Sequence, residues 1–404
     1  MLVFLKLNLR WLSAGFLLTF ASAFGQTWFI SLFAGTIKAE HGLTDGGWGS
    51  LYTAATLCSA GLLFWRGSVA DTVRLSYLAP FIALVFAIAC IGMATAQSIW
   101  FLGLSLFILR FCGQGMFGHI AMTAMGRWFE ATRGRAVAIT NLGHPASEAF
   151  LPVAVVLLIA TIGGKPAWLV VAAILGFGVA PLLWLLLRND RSPQGETNAK
   201  QMLGLSGRQW QRRDAMRHWL LPALLPVLLT PGFIGTVVFF HQVHIAEVKG
   251  WTLVQMAPGY SAFAVTTVAS ALAAGWAADR FGPQRLLSFL LLPMGIGVAL
   301  IAPSQQVVAW YVALGVIGIT QGMSSALWGV LLPVVYGTRH LGSVRSLVTT
   351  VMVISTAIGP GVTGVLIDRG IDFPTQSLFM GIWCILLGVG CFLIDRRLTR
   401  ELAE

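Results

Sequence analysis

The sequence predicts an all-α polytopic membrane protein, with twelve transmembrane helices in two pseudo-symmetric six-helix bundles. Three observations carry this. Hydrophobic residues make up 57% of the 404, charged residues only 10%, and mean hydropathy is +0.80; a soluble domain carries about 25% charged residues. Some 20 mostly apolar residues suffice to cross a bilayer, and twelve such runs are centred near Phe20, Thr56, Leu84, Phe107, Val153, Ala173, Leu229, Val265, Leu291, Gly315, Val353 and Ile385. The chain also repeats itself at an offset of 208 residues. Gly67-Ser-Val-Ala-Asp71 returns as Gly275-Trp-Ala-Ala-Asp279, and Trp11, Gly42, Thr44 and Gly134 pair with Trp219, Gly250, Thr252 and Gly342. Duplicated halves around a shared central site are a common construction of secondary transporters.

The first run follows Lys6 and Arg10 and contains Ala21-Ser-Ala23, which has the outline of a secretory signal. Its apolar stretch continues to Phe33, however, and Trp11 matches Trp219 at the start of the seventh run, so a retained helix is expected. Between most runs the connections are short, which makes neighbouring helices antiparallel. The exception is Arg188 to Arg217, polar, with Pro193, Gly195 and seven Lys/Arg. It divides the chain into an N-terminal bundle (1–187), a cytoplasmic linker (188–217) and a C-terminal bundle (218–404). The linker reads as a flexible tether, with an amphipathic piece around Leu203–Trp210 suited to the membrane surface. Gly113, Gly115 and Gly118 in the fourth run, and Gly359, Gly361 and Gly364 in the eleventh, allow helices to approach closely. Gly359-Pro360-Gly361 and Thr230-Pro231-Gly232 interrupt helical bonding, either as bending points or as static packing kinks.

The formal net charge of +11 is explained by its placement. With the N-terminus cytoplasmic, Lys38, Lys165, Lys249 and Arg369 fall outside and Arg110 lies within a span. The other 21 of the 26 Lys and Arg fall on the inside, as the positive-inside rule requires. Nucleic acid is therefore excluded as a partner, and the expected setting is the bacterial cytoplasmic (inner) membrane, multi-pass, with both termini cytoplasmic. The cysteines Cys58, Cys90, Cys112, Cys384 and Cys391 all sit in apolar runs without Cys-x-x-Cys or Cys/His metal spacing, and read as packing residues. No phosphate-binding glycine loop followed by Lys-Ser/Thr is present, which argues against direct ATP drive. No metal, no cofactor and no enzyme activity are expected; the expected partners are a small-molecule substrate, protons and the lipid bilayer, with the chain a monomer.

The repeated loop resembles the signature of the major facilitator superfamily, Gly-x-Leu-Ala-Asp-Arg-x-Gly-Arg between helices two and three of each half. Gly275-Trp-Ala-Ala-Asp279-Arg280-Phe-Gly282, followed by Arg285, is close to it. In the first copy Gly67 and Asp71 are kept, but Thr72 replaces the first arginine and Arg74 the second glycine. The resemblance covers the whole chain and implies gating roles for Gly67, Asp71, Gly275, Asp279 and Arg280, with each aspartate capping the cytoplasmic end of a neighbouring helix. Arg127-Trp-Phe-Glu-Ala-Thr-Arg133-Gly134-Arg135 is similar to turns in the monocarboxylate and oxalate–formate branches. The proton-antiporter signature of helix five, ending in Gly-Pro, is not met by Gly143-His144-Pro145-Ala-Ser-Glu148, and the helix-four pattern Arg-x-x-Gln-Gly-x-Gly is only approximated from Arg110 to Gly115.

Arg110 and Glu148 are the two ionisable groups, apart from histidines, deep inside predicted spans. Intramembrane charges are costly and usually face a bundle interior or cavity with a partner. Arg110 lies about 11 residues into the fourth helix and Glu148 about 12 into the antiparallel fifth, roughly 16 and 18 Å at 1.5 Å per residue. Equal depth makes an Arg110–Glu148 pair an expectation: either a permanent brace, or a switch in which protonating Glu148, with His144 sharing the proton, frees Arg110 for a substrate carboxylate. Polar residues at helical spacing extend the candidate pathway: Gln114 on the fourth helix, Gln26 with Ser22 on the first, Gln321 with Ser324 and Ser325 on the tenth, and His241 with Gln242 towards the outer end of the seventh. Gln26 and Gln321 are open to an alternative role in interhelical hydrogen bonding, and His241, with His244, to a place in the outer vestibule in preference to a proton site. The expected function is alternating-access secondary transport, proton-coupled, of a small organic anion resembling a monocarboxylate. The alternatives are proton-driven efflux of a drug-like or metabolite molecule and, in another class, a transporter-like membrane sensor.

Overall fold

The structure, a computed structural model, describes residues 2–67, 69–129, 132–188 and 203–403; the side chains of Leu2, Val3, Asp71, Thr72, Arg133 and Ala403 also lie outside the description. Among the described residues every regular element is helical. Eleven segments are long and apolar enough to cross a membrane: α1 (Phe4–Ser31, bent by 60° into Ala34–His41), α3 (Leu75–Thr95), α4 (Ile99–Trp128), α5 (Gly134–Ile162), α6 (Gly164–Leu187), α7 (Leu220–Phe240), α8 (Leu253–Phe281), α9 (Pro283–Leu300), α10 (Val307–Tyr336), α11 (Leu341–Asp368) and α12 (Phe373–Leu402). The twelfth, α2 (Asp45–Arg66), has the 22-residue length of a span but a more polar sequence, with Thr53, Thr56 and Ser59 along it.

Backbone contacts divide the chain into two compact units, Met1–Asn198 and Ala199–Glu404. Both use the same helix pairings: α1 with α5, α2 with α4 and α3 with α6 in the first; α7 with α11, α8 with α10 and α9 with α12 in the second. The repeat is visible in local chemistry. α1 bends after Phe33 and α7 ends at His241, 208 residues on, and each continues into an eight-residue helix. Those short helices stop at Gly42 (φ 61°) and Gly250 (φ 68°), left-handed positions that glycine takes without a Cβ penalty. Thr44 and Thr252 then cap α2 and α8, each hydroxyl accepting an amide hydrogen three residues on, from Gly47 and Gln255. In the first unit Arg10 also closes α6, donating from Nε to Leu186 O and from Nη2 to Leu185 O, both at 2.7 Å, which places a cation on the carbonyls at a helix C-terminus.

Of the expected linker, residues 189–202 lie outside the described residues. The remainder departs from a free tether. Leu203–Arg217 packs on the second unit: Trp210 N donates to Tyr336 O, Gln209 Oε1 accepts from the Arg339 amide, and Trp210 stacks edge-on against Tyr336 and His218. Aromatic burial anchors this stretch in a way that its charge-rich composition did not announce.

Candidate functional site

The site in the first unit is built around a break in α1. Its α-helix ends at Ala21, Ser22–Gly25 forms a tighter 3-10 turn, and Gln26 is extended (φ −79°, ψ 156°) before helix resumes at Thr27. Broken backbone inside an apolar span persists only where something else satisfies its polar groups. Here that partner is Arg110, whose Nη1 donates to the Gly25 carbonyl at 2.8 Å. A cation at this point also complements the negative end of the preceding helix. The approach is close because Gly25 packs on Gly113 of α4: a Cβ at Gly25 would come within 2.6 Å of Leu109 O and 2.8 Å of the Gly113 Cα.

Arg110 itself is fully buried. Its Nε donates to Thr56 Oγ1 at 3.2 Å, and its guanidinium carbon lies 4.9 Å from the centre of the Tyr52 ring, both residues being on α2. The Tyr52 hydroxyl is 2.6 Å from Thr27 Oγ1, just past the break. Arg110 Nη2 has no hydrogen-bond partner among the described residues. Directly after Arg110, Phe111–Phe117 is wound as a π-helix, a widened turn found often at functional sites.

The expected Arg110–Glu148 pair is not formed: among the described residues, neither an ion pair nor a hydrogen bond joins them. Arg110 turns towards α1 and α2 and gives its donors to neutral groups there. Glu148 is half-buried and makes no hydrogen bond or ion pair among the described residues. One turn before it on α5, His144 Nδ1 lies 3.3 Å from Ser22 Oγ, at the start of the α1 break. The Ser22 hydroxyl donates to Thr19 O at 2.7 Å, so its oxygen is left to accept and the proton sits on Nδ1 of His144. Thr19 Oγ1 bonds Thr140 O at 2.6 Å, pinning α1 against α5 on the same face. Gln26 and Gln114 are half-buried and their side chains make no hydrogen bonds among the described residues.

The other candidates divide. His241 is buried, with Nε2 2.7 Å from Thr363 Oγ1 of α11; that hydroxyl donates onward to Gly359 O at 2.8 Å, which puts the His241 proton on Nε2. Gln242, beside it, accepts from the Tyr260 hydroxyl at 2.6 Å. Gln321 is exposed, and Ser324 accepts from Trp328 Nε1 at 2.9 Å. Gly67 is buried and its carbonyl pairs with His119 Nε2 at 2.9 Å; the Asp71 side chain lies outside the described residues. Gly275, Asp279 and Arg280 lie within the last turns of α8 rather than in the turn beyond it, which comes at Gly282 (φ 87°). Asp279 is exposed without a hydrogen bond among the described residues, and Arg280 lies over Trp276 and Phe281.

Tyr52, Thr56, Gly25 and Thr27 were not singled out by sequence. A signal was available for the first two: Tyr52 and Thr56 are four apart in the most polar of the twelve runs, hence on one helical face.

Comparison with known proteins agrees with this architecture. The profile of the Major Facilitator Superfamily matches residues 15–266 and 259–403. Monocarboxylate transporter 11 of Homo sapiens is 27% identical over 398 residues, covering 84% of this chain and 81% of the relative. The probable sulfoacetate transporter SauU of Cupriavidus necator is 23% identical over 381 residues, covering 89% and 87%. In structure, the chain is similar to an inward-facing, unoccupied bacterial homologue of the human lysosomal transporter Spinster (TM-score 0.70, 16% identity, 97% of each chain) and to the nucleoside transporter NupG (TM-score 0.71, 14% identity, 96% of this chain and 98% of the other). At these identities the structural likeness speaks to fold alone. The family profile spans both halves and the match covers more than four-fifths of each of these transporter relatives: the chain belongs to the Major Facilitator Superfamily, as a multi-pass membrane transporter of a small molecule and not an enzyme.

Proposed function

We propose that this transporter carries a small organic anion of the monocarboxylate kind, coupled to protons, by alternating access in a bacterial cytoplasmic membrane with both termini inside. One observation carries the reading. Arg110 is a fully buried cation whose partners among the described residues are all neutral: a threonine hydroxyl, a backbone carbonyl and a tyrosine ring. Leaving a buried charge unpaired costs several kcal/mol, and such a group in a span points to an ion or substrate pathway. An anionic substrate supplies the missing countercharge, and the unpartnered Nη2 offers it a first donor.

Glu148 is the matching proton carrier. It is a carboxyl inside a span, partly accessible, and without a cation beside it among the described residues. Neutral as the acid and costly as the anion, it favours crossing the membrane with its proton on. One anion and one proton then cross as a neutral pair. The organic anions named for two relatives, monocarboxylates and sulfoacetate, support the same class of cargo. The test is uptake into proteoliposomes of a panel of small carboxylates, with and without an inward proton gradient. Gradient-driven accumulation is expected; no carboxylate movement under any gradient would overturn the proposal.

A further inference from the structure

One turn of α1 is gripped from three sides. From α5, His144 Nδ1 donates to Ser22 Oγ; from α4, Arg110 Nη1 donates to Gly25 O; from α2, the Tyr52 hydroxyl meets Thr27 Oγ1. The turn has few bonds of its own, since the helix is interrupted at Gln26 and Gly25 O is held by Arg110 instead. The residues expected to pair directly, Arg110 and the His144–Glu148 stretch of α5, thus meet through a shared segment. The titratable or charged groups around it are Arg110 on α4, Tyr52 on α2 and His144 on α5, with Glu148 one turn further along α5. α1 itself contributes none between Arg10 and Lys38.

We propose that the Ser22–Gln26 turn is the coupling element of the transporter: anion binding at Arg110 and proton binding at His144–Glu148 act on each other through it. This rests on the anion and proton roles assigned above. Arg110 is 0% exposed, so an anion reaches it only when the wall opens, and the parts of the wall bonded to the guanidinium are Gly25 on α1 and Thr56 on α2. A carboxylate engages a guanidinium best through two neighbouring N–H groups. Nη2 has no hydrogen-bond partner among the described residues, while Nε donates to Thr56 and Nη1 to Gly25. A carboxylate across Nε and Nη2 competes with the Thr56 bond, and one across Nη1 and Nη2 draws on the nitrogen that holds Gly25 O; weakening of the Gly25 bond leaves the break in α1 unsatisfied and free to refold. Ser22, at the other end of the same turn, moves with it, and its bond to His144 Nδ1 sets the environment in which α5 takes up a proton. Two sites biasing one two-state element is the physical requirement for coupling, and the effect is reciprocal.

The test is binding of lactate, with sulfoacetate as a second probe, to the purified full chain at about pH 5 and pH 8, the range over which histidine changes charge. In the wild type, lactate is expected to bind about tenfold tighter on the acid side, a common size for coupling between sites. Ser22→Ala is read by the ratio of its affinities at the two pH values, which is expected to fall to within about twofold whatever the affinity at either pH. A Ser22→Ala protein that keeps the full ratio overturns the coupling and leaves the anion site standing. Absence of binding by either probe at both pH values overturns the anion site and the coupling together. A second measurement needs no variant: amide exchange of the segment 22–31 should rise when lactate binds to the wild type. Binding with exchange in that segment unchanged would overturn the proposal.

Discussion

Thr56→Val offers a sharp probe of how Arg110 is held. The substitution keeps a β-branched side chain and removes only the oxygen that accepts from Arg110 Nε at 3.2 Å. In the wild type one guanidinium nitrogen, Nη2, already lacks a partner; the variant strands a second in a site with 0% exposure. A hydrogen bond to a charged group is worth about 1.5–3 kcal/mol, and burying the donor without its acceptor costs the same order. For a unit of about 200 residues this is roughly 3–12 °C in apparent Tm, at about 2–4 °C per kcal/mol. The control is Arg110→Met. With the charge gone, Thr56 has no guanidinium to serve and keeps only its hydrogen bond with Tyr52, so adding Thr56→Val to Arg110→Met should cost less than in the wild type by about 1 kcal/mol or more. The assay is thermal unfolding of all four proteins followed by intrinsic tryptophan fluorescence, read as a double-mutant cycle. Equal destabilisation by Thr56→Val in both backgrounds would refute the reasoning, because it would assign Thr56 to packing and to Tyr52, not to Arg110.

Gly143→Ala tests the crossing that brings His144 to the α1 break: the added Cβ would meet Thr19 Oγ1, Phe16 O and Phe20 N. Backbone atoms cannot swing aside, so a loss of about 1–3 kcal/mol is expected, visible as a lowered apparent Tm; an unchanged Tm would contradict the crossing. Asp372 begins α12, with Oδ1 accepting from the Thr375 amide at 2.9 Å. Hydrogen bonds from Thr375 hold its carboxyl below the usual range, with the nearby charges of His244 and Lys249 helping. Its stabilisation is therefore present above about pH 4 and fades as pH falls through the lowered folded value. Asp372→Ala should cost about 0.5–2 kcal/mol at neutral pH, with the Tm gap to wild type closing in acid; a gap that is constant with pH would contradict the cap. Glu148→Gln should leave lactate exchange between the two sides of a liposome membrane intact while abolishing accumulation driven by a proton gradient. Undiminished accumulation would remove Glu148 from the proton path.

The features that sequence revealed are those fixed by local chemistry. A left-handed glycine after a short helix, followed two residues later by a capping threonine, recurs at Gly42–Thr44 and Gly250–Thr252 because both acts are decided within a few residues. The spans were legible from apolar run length, α2 included, although its polar content sets it apart from the rest. Arg110 and Glu148 stood out because charge is rare in such runs. Their partners did not, since depth along a helix comes from counting residues but rotation about its axis does not. Two backbone irregularities, the break at Gln26 and the π-helical turn after Arg110, alter that rotation in ways an ideal helical repeat cannot anticipate. The two halves also diverge here. Tyr52 has its counterpart in Tyr260, but Arg110 corresponds to Gly318, where α8 and α10 close together with Thr267 and Ser270 hydroxyls donating to the Gly318 carbonyl. The duplication preserved the frame and placed the intramembrane guanidinium in one half.

The measurement that tests the central claim most directly is proton-driven lactate uptake by proteoliposomes containing the wild type, Arg110→Lys or Arg110→Gln. If Arg110 supplies the countercharge, the wild type accumulates lactate, Arg110→Gln loses uptake altogether, and Arg110→Lys, which keeps the charge but not the planar fork, retains a reduced rate with weakened apparent affinity. Uptake by correctly folded Arg110→Gln at the wild-type rate would contradict the account and leave the guanidinium as a brace for the break in α1.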